Sequence, residues 1–106
     1  MNEGICMNLL IPVDSNKRHE ALLTTLDHSN DWAFIELEEG QIVNCTFYKD
    51  RKDIECWVET VVVINDQEYI WQFQEEGIAV LVAPTQRSID EIVEAFLFRE
   101  LHDLNV

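Results

Sequence analysis

Thr60-Val61-Val62-Val63-Ile64, just past the middle of the chain, is a β-branched apolar run between polar residues. Such a run suits a strand buried on both faces. Asn65 or Asp66 then caps a helix, with Glu68 placed to reach back and Tyr69, Ile70 and Phe73 as its apolar face. Gly77 ends that helix, and Ile78-Ala79-Val80-Leu81-Val82-Ala83 reads as a second buried strand, stopped by Pro84, which cannot donate to a ladder. Ser88-Ile89-Asp90-Glu91 is a capping box, and Ile89, Ile92, Val93, Phe96, Leu97 and Leu101 recur behind it at helical spacing. Two apolar strands joined by a helix need cover on both faces, so this half predicts a parallel α/β arrangement.

Working outward, 106 residues bound the chain to one domain. A formal charge of −14, from 21 acidic and 7 basic residues, repels phosphate backbones and anionic lipid surfaces, which argues against nucleic acid or membrane partners. The first residues do not read as a signal peptide and no apolar run approaches a membrane span, so the expected location is the cytoplasm. Three cysteines, with no Cys-x-x-Cys pair, argue against a disulfide framework or a ready-made zinc or redox motif.

Before the central stretch, Met1–Gly4 reads as a lead into a first buried strand, Ile5–Ile11, that ends at Pro12-Val13-Asp14. Lys17–His28, with Ala21, Leu22, Leu23 and Leu26 on one side, predicts a short amphipathic helix. Trp32–Leu37 and Gln41–Tyr48 flank Glu38-Glu39-Gly40 and predict a hairpin whose second strand sets Val43, Cys45 and Phe47 on one face. Between Lys49 and Trp57 at most one helical turn fits, although a parallel crossover normally takes about 10–12 residues and usually a helix. An antiparallel run back along the hairpin is the alternative, and the alternation of Ile54, Cys56 and Val58 allows the next strand to begin as early as Ile54.

Leu10-Ile11-Pro12-Val13-Asp14, Phe34-Ile35-Glu36-Leu37 with Gly40-Gln41-Ile42, Glu76-Gly77-Ile78-Ala79-Val80 and Ser88–Leu97 occur in an order and spacing that covers most of the chain. The pattern resembles the dinitrogenase iron-molybdenum cofactor biosynthesis family, of the NifX and NafY type. That resemblance implies a three-layer α/β/α domain with a mixed five-stranded sheet of ribonuclease-H-like topology, here with a shortened middle crossover. It also implies a non-enzymatic accessory protein with a protein partner, related to carriers of iron-sulfur or iron-molybdenum clusters. The family's Ser-x-His-Phe-Gly loop is replaced by Thr25-Leu26-Asp27-His28-Ser29, and its Gly-rich loop after the fourth strand by Asn65-Asp66-Gln67-Glu68. Two other functions stay open: an interaction module that kept the fold without a ligand, and a metal-dependent nuclease.

Ligands of open α/β sheets tend to sit at the carboxyl ends of parallel strands. That edge gathers Asp14, Asn65, Asp66, Thr85 and His28, of which His28, Asp14 and Asn65 are the candidate cofactor-binding residues. His28 reads either as a soft ligand, as the family loop implies, or as an ordinary exposed histidine. Asp66 and Glu68 read as helix caps whose negative charge would compete with an incoming anion. Cys6, Cys45 and Cys56 read as small buried hydrophobes on strands. A two-metal nuclease would need Asp14, Asp31 and Glu36 clustered around ions about 4 Å apart. Trp71 and Trp57 are expected to be packed by neighbouring loops; exposed, they would be anchors for a protein partner.

Overall fold

The computed structural model describes residues 7–104. Within them β1 (Met7–Val13), β2 (Asp31–Glu38), β3 (Gln41–Tyr48), β4 (Thr60–Val63), β5 (Ala79–Val82) and β6 (His102–Asp103) form one mixed sheet in the order β3-β2-β1-β4-β5-β6. β1, β4 and β5 are parallel neighbours, and β2, β3 and β6 run antiparallel to the strands they pair with. Two α-helices, α1 (Trp71–Glu75) and α2 (Ile89–Leu97), complete the regular structure with short 3₁₀ turns at Leu26–His28 and Arg51–Asp53. The expected sheet of five strands therefore has six. Ile5 and Cys6 of the expected first strand lie outside the described residues.

The alternation of side chains along each strand divides the core in two. Leu9, Ile11 and Val13 of β1, Ala33, Ile35 and Leu37 of β2, and Val62 of β4 meet Ile89, Ile92 and Val93 of α2 on one face. On the other face Leu10, Phe34, Val61, Val63, Val80 and Val82 meet Phe73 of α1, with Val58 and Ile54 from the segment that precedes β4. That segment settles the connection between β3 and β4. It crosses the second face with a single 3₁₀ turn, capped by the Asp50 carboxylate accepting from Lys52 N, and delivers β4 parallel to β1. β4 begins at Thr60 rather than Ile54. The Asn8 side chain holds the approach in place, donating to Trp57 O and accepting from Glu59 N, both at 2.8 Å.

Three local expectations change for identifiable reasons. The helix expected over Lys17–His28 is absent: after a turn in which Lys17 O accepts from Ala21 N, the chain is pulled extended. There Leu23 bridges Val13, Leu22 bridges Ser88, and Leu23 N donates to Arg87 O. Ala21 and Leu23 are buried by that route, while Leu22 is exposed. In β3 a bulge opposite Glu36/Leu37 shifts the register, so Ile42 rather than Val43 joins Cys45 and Phe47 against the first core, and Val43 is 54% exposed. Finally, α2 stops at Leu97 instead of running on to Leu101. Arg99 turns left-handed (φ 60°), Glu100 N donates to Ala95 O, and the chain doubles back as β6. This is a Schellman closure with arginine where glycine is usual.

Candidate functional site

The carboxyl ends of β1, β4 and β5 share one edge of the sheet, as parallel strands must. Three connections leave from it: Asp14–Asn30, Ile64–Ile70 and Ala83–Ser88. Each candidate residue from the sequence lies on one of them, and the side chains of Asp14 and Asn65 accept from backbone amides. Asp14 Oδ1 accepts from Leu22 N at 3.0 Å, and Asp14 O accepts from Asn30 Nδ2 at 3.1 Å. Asn65 Oδ1 accepts from Gln67 N at 2.9 Å, which turns the chain locally rather than capping a helix. α1 starts only at Trp71 and no side chain caps it, so the capping role expected of Asn65, Asp66 and Glu68 is not what holds this segment. Thr85 is exposed, its amide donating to the side chain of Gln86.

Glu68 does something else. Its Oε2 accepts from Leu26 N at 2.7 Å, across 42 positions of sequence, and so fastens the turn carrying His28 to the loop that follows β4. No local signal in the sequence announces such a tie, because its partner is a backbone amide in another loop. His28 is exposed, and its Nδ1 lies 2.8 Å from Thr25 Oγ1, a contact that orients the ring and leaves Nε2 as the second nitrogen. The edge also holds residues that the sequence reading missed. β6 brings His102 and Asp103 beside Asn65, Asp66, Pro84 and Leu104, around a shallow groove of about 510 Å³. They were hidden because they follow Leu101, where the expected last helix ended, with no strand signal of their own.

The donor set does not fit a cluster held by several protein ligands. Among the described residues no group of three or more His, Cys, Asp or Glu side chains converges as a metal site. Cys45 lies on the edge strand and Cys56 in a groove of about 300 Å³ away from the carboxyl edge, lined also by Arg51, Lys52, Trp57 and Glu76. Cys56 is exposed and Cys45 only half-buried, so neither is the fully buried hydrophobe expected, and Cys6 lies outside the described residues. The nuclease trio also separates. Asp31 and Glu36 are five positions apart on β2, hence on opposite faces and roughly 16 Å apart along the strand. Asp31 is buried and paired with Lys49 at 3.2 Å, while Glu36 accepts from Asn44 Nδ2.

The second groove has its own electrostatics. Arg51 donates twice to Glu76, at 2.9 and 3.1 Å, and its guanidinium lies 5.0 Å from the centre of the Phe73 ring. The hydrogen bond from Arg51 holds the Glu76 carboxyl below its ordinary range. Trp57, 70% exposed, stands beside this groove, and Trp71 is 54% exposed at the start of α1. Both rings were expected under loops. Trp71 stands two positions before the buried Phe73, about 200° around the helix, so its ring is turned away from the sheet.

Fold and edge together define a small mixed α/β protein whose loops gather beyond the ends of three parallel strands. Solved structures with this architecture include a protein of Methanocaldococcus jannaschii provisionally described as a dinitrogenase. Its crystal structure superposes with a TM-score of 0.75 at 12% identity, over 95% of this chain and 97% of that one. A Thermotoga protein, provisionally described as a NifB protein and placed in the DUF35 family, superposes with a TM-score of 0.74 at 13% identity. The match covers 94% of this chain and 95% of that one. At such identities the likeness shows a shared fold. No protein-family model matches the sequence, and no curated protein matches it significantly.

Proposed function

We propose that this chain is a non-enzymatic accessory protein of the nitrogenase-cofactor type, a single domain of ribonuclease-H-like, three-layered fold. The observation that carries this reading is the end-to-end superposition on the archaeal protein, which leaves almost nothing unmatched in either chain. Its working face is the carboxyl edge of β1 and β4, and its cargo an iron-sulfur or iron-molybdenum cluster held by few protein atoms. His28 is the residue suited to meet such a cargo. If Nδ1–H donates to the Thr25 hydroxyl, Nε2 keeps its lone pair, the arrangement that ligating imidazoles use. Asp14 and Asn65 shape the edge through their backbone contacts rather than acting as ligands.

Anaerobic titration with iron and sulfide, and separately with isolated iron-molybdenum cofactor, tests the reading. The expected result is a visible chromophore approaching one equivalent per chain, lost in His28→Ala and retained in Thr85→Ala. A colourless protein under both conditions would overturn cargo binding. The exposed Trp57 and Trp71 favour a second reading, a protein-interaction module of the same fold, because tryptophan is enriched among interface anchors. Under that reading, a defined nitrogenase-assembly protein binds the colourless chain, and Trp71→Ala weakens the binding while His28→Ala does not.

A further inference from the structure

The start of a helical turn leaves backbone amides without a partner, and the residue in the capping position usually satisfies one of them with its own side chain. At Leu26–His28 that residue is Thr25, and its hydroxyl caps nothing. The two ends of the turn are fastened to the end of β1, Thr24 N donating to Pro12 O and Asn30 N to Val13 O, both at 3.0 Å. Within it His28 N donates to Thr25 O at 3.1 Å and Ser29 Oγ to Leu26 O at 3.2 Å. The first amide of the turn, Leu26 N, is taken from outside, by Glu68 Oε2 at 2.7 Å. The side chains of Leu26 and Ile70 pack against the same core, so the loop that carries Glu68 is in register with the turn.

With an outside acceptor in place, the Thr25 hydroxyl serves the ring instead, 2.8 Å from His28 Nδ1. Thr25, Leu26 and Glu68 are half-buried, whereas His28 is exposed. An exposed contact between a hydroxyl and an imidazole competes with water on both sides, and it persists only where the backbone beneath it is held. Without Glu68 the amides at the start of the turn compete for the same hydroxyl, because threonine in this position ordinarily accepts from the second or third of them. The hydrogen bond made by one imidazole nitrogen sets which of the two carries the proton.

We propose that Glu68 is the positioning residue for His28: by capping the turn from the neighbouring loop it leaves the Thr25 hydroxyl to accept from Nδ1–H and keeps Nε2 as the nitrogen with the free lone pair. The consequence for cargo rests on the reading of His28 given above. The arrangement itself is a property of the cargo-free chain, so the two can fail separately.

Nitrogen-15 NMR of the cargo-free protein, recorded above the titration range of imidazole, reads the tautomer of His28, with the exposed His19 as internal reference. The Nδ1–H form should predominate in the wild type. Glu68→Ala should move His28 toward the Nε2–H form that an unrestrained imidazole favours, while Glu68→Gln, whose amide oxygen still accepts from Leu26 N, should keep the wild-type tautomer. Glu68→Asp retains the charge and loses the reach; it should shift His28 as well and decides the matter if Glu68→Ala fails to fold. In the anaerobic titration with iron and sulfide, Glu68→Ala should bind about tenfold more weakly and Glu68→Gln as the wild type does. A tautomer shift in a colourless protein would uphold the positioning of His28 and overturn the cargo reading alone. An Nε2–H tautomer in the wild type, or a His28 indifferent to the foldable Glu68 variants, would overturn the proposal whether or not colour is taken up.

Discussion

α1 and α2 end alike and begin differently. Both close with Schellman bonds: Ile78 N to Phe73 O and Gly77 N to Gln74 O in α1, and Glu100 N to Ala95 O and Arg99 N to Phe96 O in α2. At its start α2 has a complete capping box, Glu91 N donating to Ser88 Oγ while Glu91 Oε1 accepts from Ser88 N. α1 has no side-chain cap and only five residues, too few for a helix to persist alone. What fixes it comes from elsewhere. Arg51 stands over Phe73 and pairs with Glu76, Trp32 meets Phe73 edge-on at 6.3 Å, and Glu68 reaches to the β1–β2 connection. One face of the sheet is covered by a helix that its own sequence specifies, the other by a helix that the crossover and its neighbours hold in place.

Phe73→Ala is the strongest way to break that contrast. Phe73 is fully buried, between Trp32 of β2 and Arg51. Its truncation should cost about 3–5 kcal/mol, measured by urea denaturation. A loss below about 1 kcal/mol would mean that α1 decorates the sheet and does not share its core. Glu68→Ala probes the same face at its tie to the candidate edge. Removing the carboxylate leaves the part-buried Leu26 N–H without its acceptor, for an expected cost of about 1–3 kcal/mol. Hydrogen exchange at Leu26 should accelerate far more than exchange in α2.

The α2 side should respond more mildly, because what is removed there is a local cap. Ser88→Ala should cost about 1 kcal/mol. The Ser88 and Arg87 amides hold the Glu91 carboxyl below its ordinary value of 4.5. Since its folded pKa is depressed, its contribution is complete above the ordinary value and lost as pH falls through the lowered one. Glu91→Gln should therefore flatten the decline of stability as the pH falls below the ordinary carboxylate value. A wild-type slope in that variant would remove Glu91 from the account.

The same contrast explains what could be read before folding. Strands β2 to β5, the hairpin and the start of α2 are announced by alternation, by continuous apolar runs, by Gly40 and by the capping box, all signals within a few residues of their effect. Gly77 likewise marked the end of α1. The end of α2 was missed because Arg99 occupies a left-handed position that only glycine or asparagine would have advertised, and β6 was lost with it. The Lys17–His28 stretch has helical apolar spacing, yet pairing with Val13 and Ser88 draws it out. The candidate edge was legible as a place, through the ends of the parallel strands. Its chemistry was not, because the partners of Asp14 and Glu68 are distant backbone amides whose positions only the folded chain supplies.

The two described cysteines make the finest comparison, one on each side of the sheet. Cys45 packs against the core beneath α2, where burial pushes its thiol up, partly offset by Arg18. Cys56 is exposed in the groove beside Arg51 and Trp57. Thiolate is the reacting species and access to it is the second requirement, so both factors slow Cys45. Alkylation of the native protein, with the label located by mass spectrometry, should therefore modify Cys56 first and Cys45 markedly later, the two rates converging in denaturant. Ile92→Ala, which loosens the core that Cys45 touches, should speed Cys45 and leave Cys56 unchanged. Equal native rates at the two thiols would mean that the α2 face opens as readily as the groove, and the contrast between a self-specified cover and a borrowed one would fail at the side where it is strongest.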